Sequence, residues 1–164
     1  MNGDINIWQQ VQRFLGQEAL YLDTKEWDSW LALYDKNAEY WMPAWTDDEQ
    51  LSSDPRREVS LIYYSNRAGL EDRVTRITGG LSGAANIEVR TSHNFTVLDV
   101  KSDDGILNVI SSWQVSAFLN GSQSFNFGRA EYRICDDSQR WSILSKKTII
   151  LNDIPEILLD VYLV

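Results

Sequence analysis

From residue 90 onward, apolar and polar side chains alternate along most of the chain, and this period of two constrains the fold more than any other feature. In "ILNVISSWQVSAFL" (106–119), Leu107, Val109, Trp113 and Val115 share one face of a strand, opposite residues such as Asn108. The clusters "KSDDG", "NGSQ" and "CDDSQR" are typical of turns between antiparallel neighbours. The pattern predicts long antiparallel strands from about 90 to 152.

The first half of the chain has helical spacing instead. Apolar residues recur at three- and four-residue intervals over about 7–22, 26–34 and 67–77, which predicts three helices. Helices followed by a meander of strands are typical of an α+β architecture, with N-terminal helices packed on a curved antiparallel sheet. At 164 residues, we expect a single domain that spans 1–164.

Two segments between these elements are less regular. "AEYWMPAW" is extended in character, but Pro43 lacks a backbone donor, so we expect this segment to stay out of the centre of the sheet. The glycine-rich "TGGLSGAAN" lacks the Lys-Ser/Thr of a phosphate-binding loop and does not fit the dinucleotide fingerprint. We interpret it as an ordinary loop.

Charge argues against several classes of partner. With 15 Lys and Arg against 24 Asp and Glu, the formal net charge is -9 and the isoelectric point is about 4.5. Such a chain is repelled by phosphate backbones and anionic lipid, so neither nucleic acid nor a membrane is an expected partner. Because "MNGDINIWQQ" lacks the pattern of a signal peptide, we expect a cytoplasmic protein.

The chain has too few ligands for most metal sites. A Rieske cluster takes two cysteines and two histidines, and a non-haem iron triad takes two histidines and a carboxylate. A structural zinc site takes three or four cysteines or histidines in most cases. The sequence contains one histidine, His93, and one cysteine, Cys135. We therefore predict no metal-binding and no cofactor-binding residues in this chain.

His93, in "RTSHNFTVLDV", is the residue that could give the chain chemistry of its own. On a strand it would share a partly apolar face with Thr91 and Phe95. Acid-base chemistry would need a carboxylate partner, and Glu18, Asp23 and Asp99 are all available without a diagnostic spacing. A lone histidine beside aromatic residues is more often structural, so we predict no catalytic residue.

The tryptophans divide into two groups. Trp27 and Trp30 follow the helical spacing of 26–34, which predicts that they belong to the core. Trp41 and Trp45 flank Pro43 beside an acidic loop, which favours an exposed aromatic patch that a partner protein covers.

Four segments together carry a resemblance to a known family. They are "EALYLDTKEWDSWLALY", "AEYWMPAW", "EVSLIYYSNRAGLEDRVTRI" and "RTSHNFTVLDV". In this order and at this spacing they resemble the small (β) subunit of aromatic-ring-hydroxylating dioxygenases. "WMPAWTDDEQLSSDP" followed by "SLIYYSNRAGLEDRV" is most similar to the benzoate, toluate and anthranilate 1,2-dioxygenase group.

The resemblance implies a cystatin-like fold, shared with nuclear transport factor 2, and a metal-free, mainly structural subunit. It also implies an α3β3 hexamer with contacts among the β subunits in a trimer. The large α subunits of such a hexamer carry a Rieske [2Fe-2S] cluster and mononuclear Fe(II), and electrons come from NADH through a separate reductase. The complex cis-dihydroxylates an aromatic acid such as benzoate or anthranilate.

These observations support one leading hypothesis and two alternatives. The leading one is a non-catalytic subunit that holds oxygenase subunits together. A stand-alone dehydratase or isomerase of the same fold would instead use His93 and a carboxylate, and a pocketed binding module would use neither. For the leading hypothesis, the predicted contact positions combine aromatic anchors with charges that can pair across an interface: Trp41, Trp45, Tyr63, Arg67, Glu71, Arg73 and Arg76.

Overall fold

The alternating segments form one six-stranded sheet. The computed structural model describes residues 2–79, 89–137, 139–152 and 160–164, with backbone alone for 2–5. Its elements are α1 (Asn2–Thr24), α2 (Trp27–Leu31), β1 (Tyr34–Pro43), β2 (Ser60–Tyr64), α3 (Arg67–Thr78), β3 (Arg90–Asp103), β4 (Ile106–Leu119), β5 (Ser122–Asp136), β6 (Trp141–Ile150) and a single 3₁₀ turn (Val161–Leu163). Most of the segment "TGGLSGAAN" lies outside the described residues.

The long strands pair as the period of two predicts. The strand order is β2-β1-β6-β5-β4-β3, and every neighbouring pair is antiparallel except β1 and β6, which run parallel. The turns after β3 and β4 place Asp104–Gly105 and Asn120–Gly121 at positive φ. Two consecutive residues at positive φ form the tight hairpin turn that Asp-Gly and Asn-Gly favour. Two of the three predicted turn clusters, "KSDDG" and "NGSQ", are therefore confirmed as hairpin turns.

One face of the sheet is covered by helices. α1 packs against β3, and α3 packs against β1. The core between the layers takes the inward residues of the strands, among them Leu107, Val109 and Val115, together with Val11 and Leu70 from the helices. The other face of the sheet carries most of the charged strand residues. No helix within the described ranges is both long enough and apolar enough to cross a membrane.

The helix predicted over 26–34 is shorter than expected. It ends at Leu31, and Tyr34 is the first residue of β1. The cause is sheet pairing. The Ile143 amide donates to the Leu33 carbonyl at 2.8 Å, and from Tyr34 onward the chain pairs with β6 instead of continuing the helix. The aromatic spacing still brings Trp30 and Tyr34 together, with ring centroids 5.2 Å apart. Helical periodicity therefore predicted the core position of Trp30 correctly and the backbone of 32–34 wrongly.

The expectation for the segment around Pro43 is also wrong. β1 lies between β2 and β6, so it is an internal strand. Pro43 is its last residue, at a shift in register. A proline at the end of a strand leaves the preceding ladder bonds intact, which is why it is tolerated here. The other two predicted helices are confirmed, although α1 begins five residues earlier than predicted.

Candidate functional site

Glu18 on α1 is buried between the helix layer and the sheet, with 3% of its surface exposed. Its carboxylate accepts hydrogen bonds from the Tyr34 hydroxyl at 2.5 Å, the Tyr132 hydroxyl at 2.9 Å and the Lys146 ammonium at 2.9 Å. These partners come from β1, β5 and β6. We call these four residues the Glu18 cluster. A buried carboxylate is tolerated only with such compensation, because desolvation of an unpaired charge is costly.

The electrostatics of the Glu18 cluster favour the ionised form of Glu18 and the protonated forms of Tyr34 and Tyr132. Burial raises the pKa of Glu18, but the Lys146 charge and the hydrogen bonds from Tyr34, Lys146 and Tyr132 outweigh it, so the net pKa is lowered. Burial, followed by the negative charge of Glu18, raises the pKa of both tyrosines well above its ordinary value. The tyrosines therefore remain protonated donors. Since the carboxylate is already paired, the cluster fits a structural role.

A second polar pair joins the end of α1 to β3. The Nδ1 atom of His93 lies 2.5 Å from an Asp23 carboxylate oxygen, and the His93 amide donates to the other oxygen at 3.0 Å. Burial raises the pKa of Asp23, but the hydrogen bonds from His93 and Thr91 outweigh it and the pKa is lowered. Of the three carboxylates considered from the sequence, the structure pairs His93 with Asp23. Glu18 belongs to its own cluster, and Asp99 lies 3.3 Å from Lys101.

The Asp23–His93 pair has the geometry of an oriented general base. A carboxylate on Nδ1 fixes the imidazole and leaves Nε2 to act on a substrate. His93 Nε2 is buried and has no hydrogen-bond partner among the described residues. Geometry alone would thus allow acid-base chemistry if a substrate could reach this atom.

The adjoining cavity has no room for such a substrate. It measures about 30 Å³ and lies between α1 and the sheet. Pockets for organic ligands are usually about 300–1,000 Å³, whereas about 10–15 Å³ suffices for one water molecule. The lining residues are Leu15, Glu18, Ala19, Leu22, His93, Asn94, Phe95, Ser111, Trp113, Tyr132, Lys146 and Val164. The site combines a general-base arrangement with a space that fits only water-sized molecules.

Metal ligands are not gathered at this site. Within the described part of the chain, no three His, Cys, Asp or Glu side chains are placed to hold a metal ion together. Cys135 is half-buried near the end of β5, remote in sequence from His93 and separated from it by β4.

The predicted aromatic contact residues have different environments. Trp41 is buried, donates to the Ser60 hydroxyl at 2.9 Å and lies under the Lys147 ammonium. The expectation of an exposed patch is therefore wrong for Trp41. Trp45 is 46% exposed while its indole donates to the Ile150 carbonyl, as expected for an accessible but fixed ring. Tyr63 is half-buried and donates to Glu39 at 3.0 Å.

The predicted contact residues on α3 also divide. Arg67 binds Glu71 at 2.8 Å and the Tyr34 carbonyl at 2.9 Å, and Arg73 makes two hydrogen bonds to Asp160 at 2.9 and 2.8 Å. Both arginines thus have partners within the chain. Glu71 and Arg76 are exposed. The role of these residues as contacts to another subunit stays a prediction.

Several features of the outward face were missed by the sequence reasoning. A groove of about 420 Å³ crosses β1 and β3–β6, lined among others by acidic Glu39, Asp99 and Glu131 and basic Lys101, Arg133 and Lys147. Phe125 and Phe127, 49% and 40% exposed, stack outward from β5 with centroids 5.7 Å apart. The alternation of β5 could have identified this pair, because buried Asn126 lies between them.

Sequence comparison with known proteins points to one family. The family described as ring hydroxylating beta subunit matches residues 17–156. The chain is 40% identical to the benzoate 1,2-dioxygenase subunit beta of Acinetobacter baylyi over 94% of this chain and 92% of that protein. It is 36% identical to the anthranilate 1,2-dioxygenase small subunit of the same organism, over 93% and 94% of the two chains.

A solved structure agrees with the sequence comparison. The crystal structure of the beta subunit of benzoate 1,2-dioxygenase from Burkholderia mallei superimposes with a TM-score of 0.79 at 37% identity. The match covers 94% of this chain and 95% of that one. The predicted cystatin-like α+β fold is confirmed.

We predict that Glu18→Gln lowers the free energy of unfolding by about 3–5 kcal/mol, because it leaves Lys146 buried without a countercharge. Glu131→Gln is the matched control, since Glu131 pairs with the neighbouring Lys147 at 4.0 Å in a more exposed position. We expect the control to change stability by less than about 1 kcal/mol. Denaturant unfolding measures both, and equal effects would contradict a structural role for the Glu18 cluster.

We also predict that stability falls in acid. The pKa of Glu18 and of Asp23 is lower in the folded chain than their ordinary values of 4.5 and 3.8, so the unfolded chain binds more protons in this range. Their contribution is complete above those values and is lost as pH falls through the folded-state pKa of each group. As pH falls, the free energy of unfolding should decrease less steeply in Glu18→Gln and in Asp23→Asn than in the parent chain. Denaturant unfolding at a series of pH values measures this.

Proposed function

The chain belongs to the ring hydroxylating beta subunit family, and from this membership we propose that it is the small subunit of a dioxygenase that cis-dihydroxylates an aromatic acid. Benzoate and anthranilate are the proposed type of substrate, because relatives named for these acids match over more than nine-tenths of the chain. The match across nearly the whole length of both proteins is the observation that carries the proposal.

Within that complex, we propose that this subunit does no chemistry. The Asp23–His93 pair faces a cavity of about 30 Å³, which is an order of magnitude below the usual volume of an organic ligand pocket. Glu18 also lines the cavity, and the other ionisable groups there, Lys146 and Tyr132, are already hydrogen-bonded to its carboxylate. Neither set of groups can reach an aromatic ring without rearrangement of the fold.

The redox chemistry is proposed to lie in a partner. One histidine and one cysteine are too few for either iron centre of a ring-hydroxylating oxygenase. A large α subunit would hold the Rieske [2Fe-2S] cluster and the mononuclear Fe(II), and a reductase would supply electrons from NADH. The role of this chain is then to position the subunits that hold the iron.

The proposed assembly is an α3β3 hexamer with the β subunits in a trimer, in the cytoplasm. Among the contact positions predicted from the sequence, Trp45 and Arg76 are exposed and available to a partner, and Glu71 is exposed although it pairs with Arg67. Arg67, Arg73 and Trp41 hold the chain itself together, so their contribution to an interface would be indirect. Tyr63 is half-buried and donates a hydrogen bond to Glu39, so only part of its ring is accessible to a partner.

A stand-alone dehydratase or isomerase is the alternative that a specific observation favours. Asp23 orients His93, and Nε2 is left without a partner among the described residues, as in a general base. The small cavity argues against it, because a carbonyl substrate would have to displace part of the core. The leading proposal is compatible with both the unpartnered Nε2 atom and the small cavity, and it requires no displacement of the core.

We predict that the chain co-purifies with the large oxygenase subunit when the two are co-expressed, and that Trp45→Ala weakens this association about tenfold or more. Exposed aromatic side chains often carry much of the binding energy of an interface. Leu20→Ala is the matched control, because Leu20 is an equally exposed apolar residue on α1. Sizing of the co-expressed proteins and titration of the separate subunits measure the effect. A chain that never binds the large subunit would contradict the proposed function.

We predict that His93→Gln leaves the turnover of the assembled oxygenase unchanged within about twofold, while it destabilises the isolated chain by about 1–3 kcal/mol. The loss of stability follows from breaking the contact between the His93 ring and Asp23. Single-turnover oxidation of an aromatic acid, normalised to iron content, measures the first quantity and denaturant unfolding the second. A large loss of turnover in a fully assembled complex would contradict the proposal that this subunit does no chemistry.

A further inference from the structure

Residues 160–164 form a short segment that is almost completely buried. Asp160, Val161, Leu163 and Val164 are 7%, 0%, 6% and 3% exposed. The segment contains one 3₁₀ turn and takes no place in the sheet. Burial of so short a segment requires specific contacts, since little of its backbone is paired by regular structure.

The segment is held at one end by an ion pair with α3. Arg73 donates to both carboxylate oxygens of Asp160, at 2.9 and 2.8 Å. The two side chains are 20% and 10% exposed, so water screens this pair less than a surface pair. Asp160 also caps the 3₁₀ turn by accepting from the Val161 amide at 2.7 Å.

The other end of the segment reaches the core and the cavity. The Asn126 side-chain amide donates to the Leu163 carbonyl at 3.1 Å, and Asn126 is itself 5% exposed. Val164 lines the cavity beside Glu18 and Lys146. The segment therefore forms one wall of the cavity and contributes to its small volume.

The segment presents the chemical groups of a small ligand to the rest of the chain. It offers a carboxylate to Arg73, a carbonyl oxygen to Asn126 and apolar side chains to the core. We propose that residues 160–164 are a strap that fills a site for a small apolar carboxylate, with Arg73 as the anchor for the carboxylate group. Because it belongs to the same chain, the strap competes with free carboxylates for Arg73. The parent chain should therefore bind free carboxylates weakly.

Asp160→Asn tests the strap with little change in shape. Asparagine caps a helical turn as well as aspartate does, so the variant removes the charge and retains the cap. Arg73→Gln removes the anchor, and Arg73→Lys keeps its charge without the paired geometry, as a second variant if Arg73→Gln does not fold. Arg76→Gln is the matched control, because Arg76 is exposed on the same helix.

The first measurement is hydrogen exchange of the full chain. We expect the amides of Val161 and Leu163 to exchange about tenfold faster or more in Asp160→Asn and in both Arg73 variants, with β4 unchanged. Arg76→Gln should exchange as the parent does. Unchanged exchange in the segment, or equal acceleration throughout β4, would show that residues 160–164 are an ordinary part of the core and would overturn the strap.

The second measurement is the melting temperature in the presence of sodium benzoate, with benzyl alcohol as the uncharged probe. Benzoate should raise the Tm of Asp160→Asn in a concentration-dependent manner, and raise it less in the parent chain and not at all in Arg73→Gln. Benzyl alcohol should not distinguish the variants. If benzoate raises the Tm of Asp160→Asn no more than that of Arg73→Gln, the proposal that Arg73 anchors a carboxylate ligand is wrong. The inference does not rest on the proposed function, because both measurements use this chain alone.

Discussion

The bond between Glu18 and Lys146 is the interaction on which the two layers depend. Both side chains are about 5% exposed or less, so the energy of removing two charges from water must be offset within the cluster. Part of this compensation comes from Tyr34 on β1 and Tyr132 on β5, whose hydroxyls donate hydrogen bonds to the Glu18 carboxylate. The observed placement of α1 satisfies all of these groups together. A polar cluster thus fixes the position of the helix more narrowly than apolar packing alone would.

The same placement of α1 determines what the site can do. It brings Asp23 to His93 and so creates the geometry of a general base. It also lays the helix so close to the sheet that about 30 Å³ remains between them. The space between α1 and the sheet is filled by side chains of both layers and by the segment at 160–164. This filled interior fits the proposed role of a subunit that supports an oxygenase and does no chemistry itself.

The sequence predicted what depends on local spacing and missed what depends on distant pairing. Alternation and the Asp-Gly and Asn-Gly turns predict β3, β4 and β5 correctly, because each signal lies within a few residues. The lone histidine was correctly placed on a strand, but its partner could not be chosen among three carboxylates. Glu18 and Lys146 are 128 residues apart, and Arg73 and Asp160 are 87 apart. No periodicity connects such residues, so the two ion pairs that organise the site were absent from the prediction.

Ion pairs and hydrogen bonds within the chain leave fewer charged side chains available to bind a partner. Arg67 and Arg73 resemble surface charges in the sequence, but each is committed to a partner in the same chain, and removing it would disturb α3. Charges that face outward across the sheet are of both signs, which gives the surface little net attraction for a strongly charged partner. Exposed aromatic residues such as Phe125, Phe127 and Trp45 therefore have the greater capacity to supply binding energy. An interface centred on them would leave the organising ion pairs undisturbed.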